Sequence, residues 1–148
     1  MTAKNFLLFL TCCISYVVSG QTLRRSGLAN PTGTYRTHFN NPKGNKFPQG
    51  TIKVKLIKKG KIVISLIMQS GEPLLRSGAM TDTVTFKNHW ALFRNCEIDS
   101  TCQITFRFTS KGIRVKQSSK FTHGSCDFAD GVSADGFYFK ESNKVRSL

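Results

Sequence analysis

The stretch TIKVKLIKKGKIVISLIMQS, residues 51–70, decides the fold because its apolar and lysine side chains alternate with a period of two residues. In an extended strand, successive side chains point to opposite faces of the sheet. The pattern therefore predicts a ribbon with one buried face and one solvated face. The lysines at every second position are the water side of a half-buried antiparallel sheet.

The same stretch also predicts its own turn. A three-residue loop at 58–60 brings apolar residues opposite apolar residues, whereas a two-residue turn would place them beside lysines, because a slip of one residue exchanges the faces. Gly60 suits the last loop position, which requires a positive φ. The expected opposed pairs are Leu56 with Ile62, Val54 with Ile64, and Ile57 with Lys61.

Alternation continues along the chain and predicts eight strands and no helix. The predicted strands are 33–39, the two halves of 51–70, 80–86, 90–94, 102–108, 113–116 and 136–140. Such an antiparallel meander closes into a small all-β barrel, since closure removes exposed strand edges. An eight-stranded interior is either filled by side chains or holds one small ligand, and the sequence leaves both alternatives open.

The N-terminal residues indicate export. Residues 1–20 combine Lys4, a short apolar run and small residues near Gly20, which is typical of a secretory signal peptide. The run is shorter than the ~20 apolar residues that a membrane span needs. We expect a secreted or periplasmic protein without a transmembrane segment after cleavage. The expected divisions are a signal peptide at 1–20, a flexible arm at 21–32, a barrel domain at 33–140 and a polar tail at 141–148.

Three cysteines remain after cleavage at that point: Cys96, Cys102 and Cys126. An oxidising compartment permits one disulfide among them and leaves one thiol. A bond between Cys102 and Cys126 is preferred, because the 25-residue loop it closes is worth roughly 3 kcal/mol in loop-closure entropy. A bond between Cys96 and Cys102 is the rival, and it closes a much smaller loop.

The chain is strongly basic, with a formal charge of +14 that becomes +13 when Lys4 leaves with the signal peptide. This excess favours anionic partners such as acidic glycans, lipopolysaccharide or nucleic acid. The strand parity places Arg107, Arg114 and Lys116 outward, and all three are candidate binding residues. Arg107 and Arg114 lie on adjacent strands and predict a cationic stripe with Lys111 at the turn between them, which would bind phosphate-bearing polymers in a salt-dependent way. A basic face that only contacts solvent is the alternative.

No set of residues in the sequence indicates a reaction. His38, His89 and His123 do not have metal-ligand spacing, and the acidic residues of 127–135 lie in turn dipeptides rather than in the order of a calcium loop. Without a matched acid, base or nucleophile, we expect a binding protein and not an enzyme, with no cofactor and no metal. We expect a monomer. A small-ligand carrier remains an alternative.

Residues 33–140 resemble a group of small exported bacterial barrel proteins. The segments that carry the resemblance are CQITFRF at 102–108, VKQ at 115–117, CDF at 126–128 and ADGFYFK at 134–140. The resemblance implies the barrel fold and supports the pairing of Cys102 with Cys126. In that group the second cysteine is usually followed by Gly-Phe-Gly, and this chain has Asp127 and Ala129 in place of the two glycines.

The chain also resembles the periplasmic C-type lysozyme inhibitors, which are eight-stranded barrels. The residues concerned are Ser77-Gly78-Ala79, the strand that follows them, and Lys87 before the next strand. The resemblance implies that Ser77 and Lys87 hydrogen-bond the catalytic carboxylates of a lysozyme. Binding to a lysozyme or another extracellular protein is therefore the first functional hypothesis. The cationic stripe, for anionic glycan, lipopolysaccharide or nucleic acid, is the second.

Overall fold

The computed structural model describes residues 30–37, 49–58, 60–71, 73, 75–94, 97, 99–120, 125–145 and 147–148. The strands are β1 (Gly33–Arg36), β2 (Gln49–Lys58), β3 (Lys61–Gln69), β4 (Ser77–Lys87), β5 (Trp90–Phe93), β6 (Gln103–Phe108), β7 (Gly112–Ser118) and β8 (Gly136–Ser142). Each strand pairs antiparallel with the next in chain order, and β8 returns to β1 to close a barrel. The predicted eight-stranded antiparallel barrel is confirmed.

Only part of the expected division of the chain falls within the described residues. The predicted signal peptide and most of the arm lie outside those residues, as do His38, His123 and Cys96. β8 continues through Ser142 and so takes in the first two residues of the predicted tail. Among the described residues, the one helical segment is a short 3₁₀ turn at Ser125–Asp127, and no helix is long and apolar enough to cross a membrane.

The β2–β3 hairpin keeps the predicted core register but turns differently. Two predicted pairs are present, Leu56 with Ile62 and Val54 with Ile64. The register then shifts by one residue, so that Lys58 lies opposite Lys61 and the predicted partner Ile57 does not. The expectation for Ile57 is wrong because a bulge absorbs this residue and leaves its side chain 49% exposed. Gly60 has a φ of 79°, as the loop requires.

The barrel interior is filled by alternate side chains from the strands, which pack into one contiguous core. The largest fully buried apolar side chains are Tyr138, Phe106, Ile52, Ile62, Ile64, Leu66, Ile104, Ile113 and Val54. Burying each of them stabilises the fold by about 1.5–3 kcal/mol relative to exposure. Of the two alternatives for the interior, these side chains favour the packed one.

Two buried tyrosines, Tyr35 of β1 and Tyr138 of β8, hold the backbone at the start of their own strands. Tyr35 donates a hydrogen bond to the carbonyl of Pro31 at 2.6 Å, and Tyr138 donates one to the carbonyl of Ala134 at 2.9 Å. Each hydroxyl thus fixes the backbone four residues upstream, at the entry of its own strand. Burial raises the pKa of Tyr35 to about 12. Burial, followed by the charge of Asp135, also raises the pKa of Tyr138.

The loop between β7 and β8 is fixed to the barrel by a disulfide and a buried carboxylate. Cys102 and Cys126 form the disulfide, with 5.1 Å between their Cα atoms, so the preferred pairing is confirmed. Asp99 is 1% exposed and accepts hydrogen bonds from the backbone and hydroxyl of Thr101 at 2.9 and 2.6 Å, and from the Ser119 hydroxyl. A disulfide of this kind is typical of proteins that fold in an oxidising compartment.

Asp127 adopts a backbone conformation that usually belongs to glycine. Its φ is 60°, and Cys126 before it has a φ of 61°. Asp is one of the few residues besides glycine that visits this left-handed region. The Asp127 carboxylate also accepts a hydrogen bond from the backbone of Glu97 at 3.0 Å. Asp127 therefore occupies a left-handed position and adds a polar contact to Glu97.

β4 pairs with its two neighbours over very different lengths. It is paired with β3 from Ser77 to Thr85, but with β5 only through Phe86 and Lys87. The inner side of its start is covered by Phe128 from the β7–β8 loop, since a Cβ atom at Gly78 would lie 2.6 Å from the Phe128 ring. Loop residues thus complete the wall of the barrel where strand pairing ends.

Candidate functional site

A row of outward-facing side chains crosses five neighbouring strands, from β4 to β8. The row consists of Lys87, Trp90, Arg107, Arg114 and Phe137, each opposite the next in the strand register. These residues point outward because the adjacent positions in their strands point into the core. The predicted positions of Arg107 and Arg114, outward and on adjacent strands, are therefore observed.

Each arginine of the row rests on an aromatic ring. The guanidinium carbon of Arg107 lies 5.3 Å from the centroid of the Trp90 ring, and that of Arg114 lies 5.7 Å from the Phe137 ring. Both distances are within the range of cation–π interactions. Since Trp90 is on the β5 side and Phe137 on the β8 side, the two guanidinium groups lean apart. A stacked guanidinium keeps its N–H edge available for an oxyanion.

An open groove of about 310 Å³ lies beside this row on the outer face of β5–β7. It is lined by Trp90, Thr105, Arg107, Arg114, Lys116 and Ser118. Thr105 forms the floor, because it lies opposite Lys116 and two residues before Arg107 on the same strand. The volume is at the small end of the range for ligand sites, ~300–1,000 Å³. Arg107 and Arg114 of the predicted stripe therefore line one concavity together with Lys116, whereas Lys111, the third residue of the predicted stripe, lines a different one.

The residues that line the groove include no acid. Asp135 lies close to one end of it, because its carboxylate accepts a hydrogen bond from the backbone of Gln117, next to Lys116, at 2.6 Å. Strands β5, β6 and β7 contain no Asp or Glu. In the described part of the chain, Arg107, Arg114 and Lys116 form no ion pair with a carboxylate. The ion pairs between described residues lie elsewhere, at Arg36 with Glu141 (3.3 Å) and Arg76 with Asp130 (3.8 Å).

The opposition of Arg107 and Arg114 has an energetic consequence. Like charges directly opposite each other on neighbouring strands destabilise a sheet, and cross-strand pairs are worth about 0.2–1 kcal/mol. An oxyanion bound between the two side chains would relieve this repulsion. We therefore expect a small repulsion between the two arginine side chains in the free protein.

A second concavity of about 610 Å³ lies near the end of β8 and is lined by Lys111, Phe139, Lys140 and Glu141, among others. Phe139 is 47% exposed and packs edge-on against Phe137, with 4.9 Å between the ring centroids. Two aromatic rings, those of Phe137 and Phe139, therefore form the β8 end of the row. This concavity has Glu141 beside its two lysines, whereas the lining of the groove over Thr105 includes no acid.

Ser77 and Lys87, the residues implied by the resemblance to lysozyme inhibitors, lie at opposite ends of β4. Ten residues of strand separate them, about 33 Å at the usual rise, whereas the two catalytic carboxylates of a glycosidase lie only about 5–9.5 Å apart. Ser77 and Lys87 therefore do not form one site. Lys87 instead extends the cationic row, because it lies opposite Trp90.

Sequence interpretation missed the residues that shape the groove. Thr105 and Ser118 carry no charge and belong to no motif, so only the strand register could reveal their position below the arginines. Trp90 was recognisable as outward-facing, but its stacking with Arg107 depends on the β5–β6 pairing. Over the described residues, no group of three His, Cys, Asp or Glu side chains is placed to hold a metal ion.

No protein family matches the sequence, and no curated protein or solved structure is significantly similar to it. The functional interpretation of the groove therefore rests on its own geometry and charge.

Proposed function

We propose that this protein is an exported, non-enzymatic protein that binds anionic glycans through the outer face of β5–β8. The observation that carries the proposal is the pair Arg107 and Arg114, opposed across two strands and lining one groove with Lys116. Three cations that form no ion pair with a described carboxylate attract an oxyanion-bearing ligand. The disulfide supports export to an oxidising compartment.

The composition of the groove favours a glycan over nucleic acid. Single-stranded nucleic acid is usually held by several aromatic rings on which successive bases stack. The groove has one aromatic wall, Trp90, and two hydroxyl groups, those of Thr105 and Ser118. Hydroxyl groups both donate and accept hydrogen bonds, as the hydroxyls of a sugar do. This mixture suits a ligand that is both polyhydroxylated and acidic.

Retention on immobilised heparin or lipopolysaccharide tests the proposal. The triple variant Arg107→Ala, Arg114→Ala, Lys116→Ala is compared with Lys53→Ala, Lys55→Ala, Lys61→Ala, which removes the same charge from β2 and β3. We expect the groove variant to elute at much lower salt than the control variant. Loss of three ionic contacts would lower the slope of log affinity against log salt by about 2–3. Equal losses in both variants would show that net charge, and not the groove, causes retention.

Inhibition of a lysozyme is the competing candidate, and it has a separate test. A protein of charge +13 after signal cleavage repels cationic lysozymes, which opposes this candidate on electrostatic grounds. The assay follows the clearing of a cell-wall suspension by lysozyme with and without excess pure protein. If the protein slows clearing, and Ser77→Ala or Lys87→Ala brings the clearing rate back to that of lysozyme alone, the inhibitor is favoured. Unchanged clearing would remove it.

A further inference from the structure

We infer that the groove over Thr105 holds a single acidic sugar unit, with the sugar ring against Trp90 and a sulfate or phosphate ester between the cations. This inference rests on the proposed glycan binding and specifies its ligand. It differs from simple attraction to charge because it requires a shaped site. The groove volume of about 310 Å³ matches a ligand of the size of one ring with its ester group.

The positions of the three cations favour a tetrahedral oxyanion. Arg107 and Arg114 are directly opposed, so their Cα atoms lie about 5 Å apart. Lys116 is two residues after Arg114 on the same face, about 7 Å along β7. A sulfate or phosphate ester has three terminal oxygens, one for each cation, whereas a carboxylate has two. In the free protein the guanidinium groups lie over Trp90 and Phe137, so both arginine side chains would have to turn towards each other to hold this group.

Trp90 supplies the surface for the sugar ring. It is 46% exposed although Arg107 packs on it. A sugar ring has an apolar face of C–H groups that suits the face of an indole, and its hydroxyl groups remain free for polar partners. Lys87 on the other side of Trp90 adds a fourth cation beyond the groove. An adjacent acidic unit of a polymer would reach this lysine.

Thr105 lines the groove with a small side chain, between Leu92 on β5 and Lys116 on β7. A much bulkier residue at this position would obstruct the groove and leave every charge in place. Thr105→Phe therefore changes the shape without changing the electrostatic attraction. Thr105→Val keeps the shape and removes only the hydroxyl group.

The test uses the fluorescence of Trp90, which is the only tryptophan in the sequence and so reports directly on the site. The probes are a heparin oligosaccharide, a hyaluronan oligosaccharide that has carboxylates only, and inorganic polyphosphate, which has no sugar ring. We expect the sulfated oligosaccharide to change the Trp90 emission and to bind at least tenfold more tightly than hyaluronan or polyphosphate. A phosphorylated oligosaccharide should bind comparably to the sulfated one.

The variants separate this inference from the proposed function. We expect Thr105→Phe to weaken binding of the sulfated oligosaccharide at least tenfold, and Thr105→Val to weaken it two- to fivefold. If Thr105→Phe binds normally while the triple cation variant does not, glycan binding stands and the shaped subsite is overturned. If the triple cation variant also binds normally, both the proposed glycan binding and the shaped subsite are overturned. Polyphosphate or a single-stranded oligonucleotide that binds as tightly as the oligosaccharide would overturn the recognition of a sugar. Unfolding midpoints of all variants verify that each one is folded.

Discussion

Arg107 of β6 lies directly opposite Arg114 of β7 on the outer face of the barrel. Neither arginine is paired with a carboxylate among the described residues. Natural sheets gain stability from opposite charges at such positions and lose it from like charges. The two cation–π contacts, with Trp90 and Phe137, offset part of this loss at the ends of the row. The pair is therefore tolerated rather than stabilising in the unliganded protein.

A double-mutant cycle of Arg107→Ala and Arg114→Ala should show a repulsive coupling of about 0.2–1 kcal/mol at low salt. The loss of each cation–π contact cancels in the cycle, so the coupling isolates the interaction between the arginines. Because salt screens exposed charges, the coupling should shrink towards zero in 1 M NaCl. Urea unfolding of the four proteins measures it. A cycle of Arg107→Ala with Lys55→Ala is the control, and an attractive coupling in the main cycle would contradict the prediction.

Asp99 should make the protein acid-sensitive. Burial alone would raise the pKa of this carboxyl, but hydrogen bonds from Ser119, Thr101 and the backbone of Cys126 outweigh burial and lower it. A lowered folded pKa gives stability that is fully present above the ordinary value of about 3.9 and is lost as the pH falls through the folded pKa. Asp99→Asn should therefore be less stable than the wild type at neutral pH, and the difference should narrow below pH 4.

Denaturant unfolding of the wild type and of Asp99→Asn between pH 2 and pH 7 measures this difference. Asp130→Asn is the matched control, because Asp130 lies on the same loop side of the barrel and pairs with Arg76 only at 3.8 Å in an exposed position. Its difference from the wild type should be small at every pH. An Asp99→Asn difference that persists unchanged at pH 2 would contradict the assigned role of the carboxylate.

Tyr35 should make the protein sensitive to alkali. Its pKa is raised to about 12 by burial, so its folded value lies above the unfolded value of about 10. The resulting stability is fully present below pH 10 and is lost as the pH rises from 10 to 12. Tyr35→Phe should lack this alkaline loss. At neutral pH it should cost about 1 kcal/mol, because the hydrogen bond to the Pro31 carbonyl is removed.

Phenolate absorbance during alkaline titration tests this assignment. The sequence has three tyrosines, and Tyr16 lies within the predicted signal peptide, so the mature chain would titrate only Tyr35 and Tyr138. Tyr35→Phe leaves the absorbance of Tyr138, whose pKa is also raised. If Tyr35 ionised near pH 10 in the folded protein, its side chain would not be buried in the barrel interior.

The sequence predicted the part of the site that depends on strand parity. Alternation alone placed Arg107 and Arg114 outward, since their neighbours in β6 and β7 are apolar and must face the core. It could not predict which residues lie across the strands from them. The groove over Thr105 and the contact between Lys87 and Trp90 depend on register, which the short turns and bulges determine.

The sequence also could not reveal where the alternation fails. The bulge at Ile57 costs one exposed apolar residue but keeps the core pairs in register, and no composition rule distinguishes it from a longer loop. Ser77 and Lys87 fit a motif by residue type, but the motif does not say that they stand at the two ends of one strand. Both points concern the path of the backbone and not the identity of the buried face.

Gly78 should tolerate no side chain while Phe128 is present. A Cβ atom at Gly78 would lie 2.6 Å from the Phe128 ring, closer than van der Waals contact allows. Gly78→Ala should therefore destabilise the protein by about 1–3 kcal/mol through overpacking. In a Phe128→Leu background the same substitution should cost less, because leucine can move away. Unfolding free energies of the four proteins measure the coupling, and additive costs would show that the ring and Gly78 do not touch.

The Cys102–Cys126 disulfide should contribute about 3 kcal/mol, the value that loop-closure entropy gives for a loop of this length. Cys102→Ser with Cys126→Ser, in a Cys96→Ser background that prevents new pairings, should lower the free energy of unfolding by more than this amount. The excess over the entropic value arises because the Cys126 backbone also contributes to holding the Asp99 carboxylate ionised. The same double substitution in an Asp99→Asn background should then cost less. Peptide mapping of the oxidised protein that finds Cys96 bonded to Cys102, or a loss below about 1 kcal/mol, would contradict this account.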